Sequence, residues 1–64
     1  MNPRDELLTV DETADWLNIS KPTLWRMIRR GEIPFVKIGQ RNVRIKVTDT
    51  ENYINKNYQG RIIL

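Results

Sequence analysis

A chain of 64 residues with neither cysteine nor histidine has to hold its fold together by apolar packing alone. A domain this short buries only about 60% of the surface its unfolded chain exposes, and disulfides or a bound zinc are the usual supplements at that size. Neither is open here, so no disulfide and no metal site is expected. The commonest general bases and the most nucleophilic side chain are absent as well. A core this small hardly encloses a water-excluded pocket, so the composition argues against an enzyme, a cofactor or a small-molecule ligand. No apolar run approaches the ~20 residues of a bilayer-crossing helix, and Met1-Asn2-Pro3-Arg4-Asp5-Glu6 lacks the apolar centre of a signal peptide. The expectation is one soluble, cytoplasmic and nucleoid-associated domain over residues 1–64, with a core of about residues 8–57, flexible ends and no membrane partner.

Residues 1–7 read as a frayed, charged end. Thr9-Val10-Asp11-Glu12 then fits a capping box, in which the Thr9 hydroxyl accepts from the Glu12 amide and the Glu12 carboxylate accepts from the Thr9 amide. Val10, Ala14 and Leu17 recur at helical spacing, so a helix is predicted over Val10 to Leu17. Its acids Asp11, Glu12 and Asp15 are explained by capping and by the positive end of the helix dipole rather than by catalysis or metal binding. Asn18-Ile19-Ser20 interrupts the pattern. Ser20 is a good N-cap for a second helix with Pro22 in its first turn and with Leu24, Met27 and Ile28 as its apolar stripe; Gly31 ends it in a left-handed conformation.

After Ile33-Pro34 the period changes to two. Val36 and Ile38 flank Lys37, and Val43, Ile45 and Val47 alternate with Arg44 and Lys46, which predicts two short strands. Gly39-Gln40-Arg41-Asn42 is the turn between them, so the pair forms a hairpin with a basic tip. Thr48-Asp49-Thr50-Glu51 repeats the capping-box pattern and starts a short third helix that packs Tyr53 and Ile54 and ends near Asn57. The predicted architecture is α+β: two helices, a hairpin and a short C-terminal helix, as in a small winged helix-turn-helix.

Charge is distributed unevenly over this plan. Eight of the 11 Lys and Arg residues lie between Lys21 and Lys46, where Glu32 is the only acid, so that stretch carries +7 while the other 38 residues sum to −4. A continuous basic stretch shared by two adjacent elements is the electrostatic footprint of a nucleic-acid partner. Once Leu24, Met27 and Ile28 face the core, Lys21, Pro22, Thr23, Arg26, Arg29 and Arg30 are left on the outside of the second helix. Arg26 and Thr23 suit base edges in the major groove, and Lys21 suits a phosphate. Arg29 and Arg30 fit either DNA contact or the satisfaction of helix-end carbonyls. On the hairpin, Lys37, Arg41, Arg44 and Lys46 suit a flanking backbone, Arg41 is placed to enter a groove, and Gln40 and Asn42 add hydrogen bonds. Trp25 is expected to pack against the hairpin, with stacking along a sugar-phosphate strand as the alternative; Trp16 is expected at the rim of the core.

The ordered set Leu8-Thr9, Glu12, Ala14, Leu17, Ile19-Ser20, Thr23-Leu24-Trp25-Arg26, Ile28, Gly31, Ile33-Pro34, Lys37-Ile38-Gly39 and Arg44-Ile45 resembles the small winged helix-turn-helix domains of the excisionase family, related to the DNA-binding part of MerR regulators. The resemblance covers about Leu8 to Ile54. It implies a sequence-specific double-stranded DNA-binding protein that bends DNA near attachment sites, self-associates cooperatively there, and helps a tyrosine integrase excise a mobile element. A phage or mobile-element transcriptional regulator shares the same surface and is the alternative. A protein-interaction module such as an antirepressor is the alternative of another class. By the same resemblance, the apolar end Arg61-Ile62-Ile63-Leu64 is a candidate contact for an integrase or a neighbouring protomer. Thr13 stands where the family often has a small alanine, and Gln40 and Asn42 stand where it is often more basic.

Overall fold

A computed structural model of the chain describes residues 6–60. In chain order the elements are strand β1 (Leu7–Thr9), helix α1 (Val10–Leu17), helix α2 (Lys21–Arg29), strands β2 (Val36–Ile38) and β3 (Asn42–Lys46), and helix α3 (Val47–Asn57). The three strands form one antiparallel sheet in the order β1-β3-β2. Three helices on such a sheet make the small α+β winged helix-turn-helix that the patterning predicts, with one strand more than expected.

The start of α1 is the predicted capping box. The Glu12 amide donates to the Thr9 hydroxyl at 3.0 Å and the Thr9 amide donates to the Glu12 carboxylate at 2.9 Å. Ser20 caps α2 by accepting from the Thr23 amide, with Pro22 in the first turn, where its missing N–H costs nothing. Both helices also end in the same way. At Asn18, φ is 57°; its amide donates to the Asp15 carbonyl and the Ile19 amide reaches back to that of Ala14. At Gly31, φ is 76°; its amide donates to the Ile28 carbonyl and the Glu32 amide to that of Met27. These are Schellman motifs, which satisfy carbonyls left open at the helix end and turn the chain sharply. The first lets α2 follow α1 after only three residues.

Val10, Ala14, Leu24, Met27, Ile28, Ile33 and Ile45 form the buried cluster, with Leu17, Ile19, Val43 and Tyr53 packed against it. Two threonines are fully buried beside it. The Thr13 hydroxyl donates to the Thr9 carbonyl and the Thr50 hydroxyl to that of Lys46. In each case the threonine bonds back to the residue preceding its own helix, so burial leaves no polar atom unpaired. This is how Thr13 is accommodated at a position suited to alanine.

Three expectations are corrected. Leu7, assigned to a frayed end, pairs with Lys46 in β1, and the ladder extends through the Val47 amide to the Glu6 carbonyl. Val47, expected in a strand, opens α3, whose N-cap is Lys46 without a side-chain capping bond, so the predicted box at Thr48 does not start the helix. Asn42, expected in the turn, belongs to β3. Register decides which residues of the hairpin share a face. Val36 pairs with Arg44 and Ile38 with Asn42, and directly opposed residues project from the same side of a sheet. Val36 and Ile38 therefore share a face with Arg44 and Asn42, while Lys37 shares one with Val43.

Candidate nucleic-acid interface

Burial along α2 defines its outer face. Leu24, Met27 and Ile28 are buried; Pro22, Arg26 and Arg29 are exposed, and their i, i+4, i+7 spacing lines them up along the side away from that stripe. Thr23 lies at the flank, half-buried, with its hydroxyl 2.8 Å from that of Ser20. Trp25 flanks the line on the other side, 36% exposed, which leaves part of the ring in solvent. Trp16 on α1 is 43% exposed.

Among the described residues, two of the basic side chains form ion pairs. The Lys21 ammonium lies 3.0 Å from the Asp11 carboxylate, joining the first turns of α2 and α1. The Arg30 guanidinium lies 3.8 Å from Glu32 just beyond the helix, so its side chain faces the carboxylate of Glu32 rather than the carbonyls of its own helix end. Arg26 and Arg29 have no ion pair among the described residues.

The hairpin does not present its six candidate residues on one surface. Register puts Asn42, Arg44 and Lys46 on one face and Lys37 on the other, with Gln40 and Arg41 at the tip. Gly39, at φ 68°, takes the left-handed conformation that lets the tip turn. Arg44 is half-buried on the central strand and donates to the Val43 carbonyl at 2.9 Å. It also acts on α1: the Glu12 carboxyl is held below its ordinary range, first by the backbone bond from Thr9, then by the Thr9 hydroxyl, and to a lesser extent by the Arg44 charge. Lys46 and Arg41 are exposed. The face shared by Asn42, Arg44 and Lys46 also carries Leu7, Val36 and Ile38, and Ile38 is 45% exposed.

The candidate segment Arg61 to Leu64 lies outside the described residues. Among the described residues no group of His, Cys, Asp and Glu is placed to hold a metal ion, and no helix is long and apolar enough to cross a membrane. Sequence reasoning assigned Asp11 to the dipole of α1 and missed its second partner, Lys21. The signal was not periodic, because the two residues meet only through the angle between two helices.

The family model described as a helix-turn-helix domain matches residues 7–58, from the first residue of β1 to the residue after α3. Curated relatives come from mycobacteria. A protein of Mycobacterium tuberculosis named "Putative antitoxin VapB50" is 55% identical over 38 residues, 59% of this chain and 29% of its own length. Another from that species, "Putative DNA-binding protein Rv0500A", is 33% identical over 55 residues, 86% of this chain and 69% of its own length. "Uncharacterized protein Mb2337" of Mycobacterium bovis is 37% identical over 51 residues, 80% of this chain and 44% of its own length. The chain thus spans about a third to two thirds of these relatives.

Proposed function

This chain belongs to the helix-turn-helix domain family, and from that premise we propose that it binds double-stranded DNA sequence-specifically, with α2 in the major groove and the β2–β3 hairpin on the flanking backbone. The observation that carries this reading is the exposed line Pro22, Arg26 and Arg29 on the second helix of the helix-turn-helix. An arginine there can take the O6 and N7 of guanine bidentately, which is worth about 1–3 kcal/mol against the wrong base. The name of the Rv0500A relative supports the same partner. The basic residues of the hairpin supply sequence-independent attraction, with Arg41 at its tip suited to a groove and Lys46 to a phosphate.

The finer role follows from the resemblance to excisionases: cooperative placement of several copies beside an attachment site, a bend in the DNA, and help to a tyrosine integrase. One module makes few base contacts, so side-by-side copies would supply the missing affinity. The test is footprinting of the purified protein on DNA from its own genetic neighbourhood, with a bending readout on the same fragments. Adjacent protected repeats with a bend beside a recombination site are expected. A lone protected operator over a promoter would assign transcriptional regulation instead. Arg26→Ala should cost about 1–3 kcal/mol on the cognate site and relax preference at one base pair; equal losses on cognate and random DNA would remove its base-reading role.

A second reading is favoured by the 55% identity over 38 residues to the antitoxin-named protein: the same DNA-binding unit serving within an antitoxin. Rescue of cell growth from a neighbouring toxin gene, with no effect on excision, would select it.

A further inference from the structure

Asp11 and Lys21 form an ion pair that stability does not account for. Their side chains are 63% and 58% exposed, and pairs that open to water contribute about 0–1 kcal/mol. The position of Lys21 is unusual in its own right. It is the first residue of α2, a helix with no acid in its first turn, and a cation at that end opposes the helix dipole. A helix start next to an ammonium is where an anion is held best, and in a DNA interface that anion is a backbone phosphate. In the free protein the Asp11 carboxylate stands beside that ammonium, 3.0 Å away. It is contributed by α1, the element packed against α2.

Resting on the reading that α2 binds duplex DNA, we infer that Asp11 is an affinity-limiting residue of the interface. Its carboxylate keeps Lys21 in a neutral pair that a phosphate must break, and after the exchange Asp11 stays close to the phosphate as a like charge. The pair adds no net charge at the start of α2, so the counterions released there on binding are fewer than a lone lysine would release. Removing the carboxylate frees one cation for a phosphate. Removing the lysine leaves one anion facing the backbone. Removing both restores neutrality.

The test is the salt dependence of binding for four proteins on a fluorescent mixed-sequence duplex: wild type, Asp11→Asn, Lys21→Gln and the double variant. One added phosphate contact steepens the slope of log affinity on log salt by about 0.9, which between 1 M and 0.15 M salt amounts to about fivefold tighter binding. Asp11→Asn is expected to show that gain, Lys21→Gln a shallower slope of similar size, and the double variant a slope close to wild type. Asp11→Ser makes the same charge change with a different side chain and should reproduce the gain. A change in stability alone leaves the slope of a folded protein where it was. An unchanged or weaker Asp11→Asn overturns the inference, as does a double variant as weak as Lys21→Gln. A wild-type protein with no salt-dependent affinity for duplex refutes the DNA reading itself, and the inference falls with it.

Discussion

Asn18 is the hinge of the helix-turn-helix, and its substitution gives a quantitative check on how that turn is made. Its φ of 57° lies in the left-handed region, which costs an ordinary L-residue about 1–2 kcal/mol, costs asparagine less, and costs glycine nothing. The Schellman bonds here come from backbone amides, those of Asn18 and Ile19, so they survive replacement of Asn18 by alanine or glycine. The difference between variants is then mostly conformational strain. Asn18→Ala should lose about 1 kcal/mol and Asn18→Gly should lose nothing or gain up to about the same amount. On a 64-residue chain whose total stability is on the order of 3–10 kcal/mol, each kcal/mol moves the melting temperature by about 4–8 °C. Urea denaturation followed by tryptophan fluorescence reads this directly, since Trp16 lies two residues before the hinge. Gly31→Ala is the parallel case: φ is 76° and the space around an added Cβ is open, so it too should cost about 1 kcal/mol through strain, without a clash. An Asn18→Ala protein as stable as wild type, or an Asn18→Gly protein as weak as Asn18→Ala, would refute the left-handed turn.

Ile45 is fully buried on the central strand, so Ile45→Ala should cost about 2–5 kcal/mol and lower the urea midpoint sharply. Lys46 caps α3 without a side-chain bond; Lys46→Asn should therefore raise stability by about 0.5–1 kcal/mol while flattening the DNA salt slope by about 0.9, two opposite readouts from one substitution. The Glu12 carboxyl is held below its ordinary range by its bonds to Thr9. Its contribution to stability is therefore complete above the unfolded value of about 4.3 and is lost as pH falls through the lower folded value. The gap in urea midpoint between wild type and Glu12→Gln should hold from about pH 7 to about pH 5 and narrow as pH falls further towards about 3; a gap that stays constant throughout would remove the carboxylate from the cap.

The parts of this protein that were legible in its sequence are those made within a few residues. Thr9 and Glu12, Ser20 and Gly31 each act on backbone groups three to five positions away, and residue type alone announces such bonds. For the same reason the outer face of α2 could be read from helical spacing: once Leu24, Met27 and Ile28 turn inward, the positions of Arg26 and Arg29 follow. Ile33 gave no such signal, because it sits in a connector with no period, yet it is 1% exposed. Strand β1 was also hidden, since Leu7 to Thr9 becomes a strand only where β3 is there to pair with it.

Tertiary structure decided the rest. Alternation told that Val36 and Ile38 share a face but not which one, because a strand with period two fits either side of a sheet and a shift of one residue exchanges them. The three residues between Ile38 and Asn42 set Val36 opposite Arg44, while Ile45 is committed to the core, and so Lys37 parts from Arg44 and Lys46. The pairing of Asp11 with Lys21 likewise exists only because the turn at Asn18 brings two helix starts together. Local hydrogen bonds are fixed by neighbours along the chain; faces, registers and ion pairs between elements are fixed by neighbours in space, and those come into being only when the chain has folded.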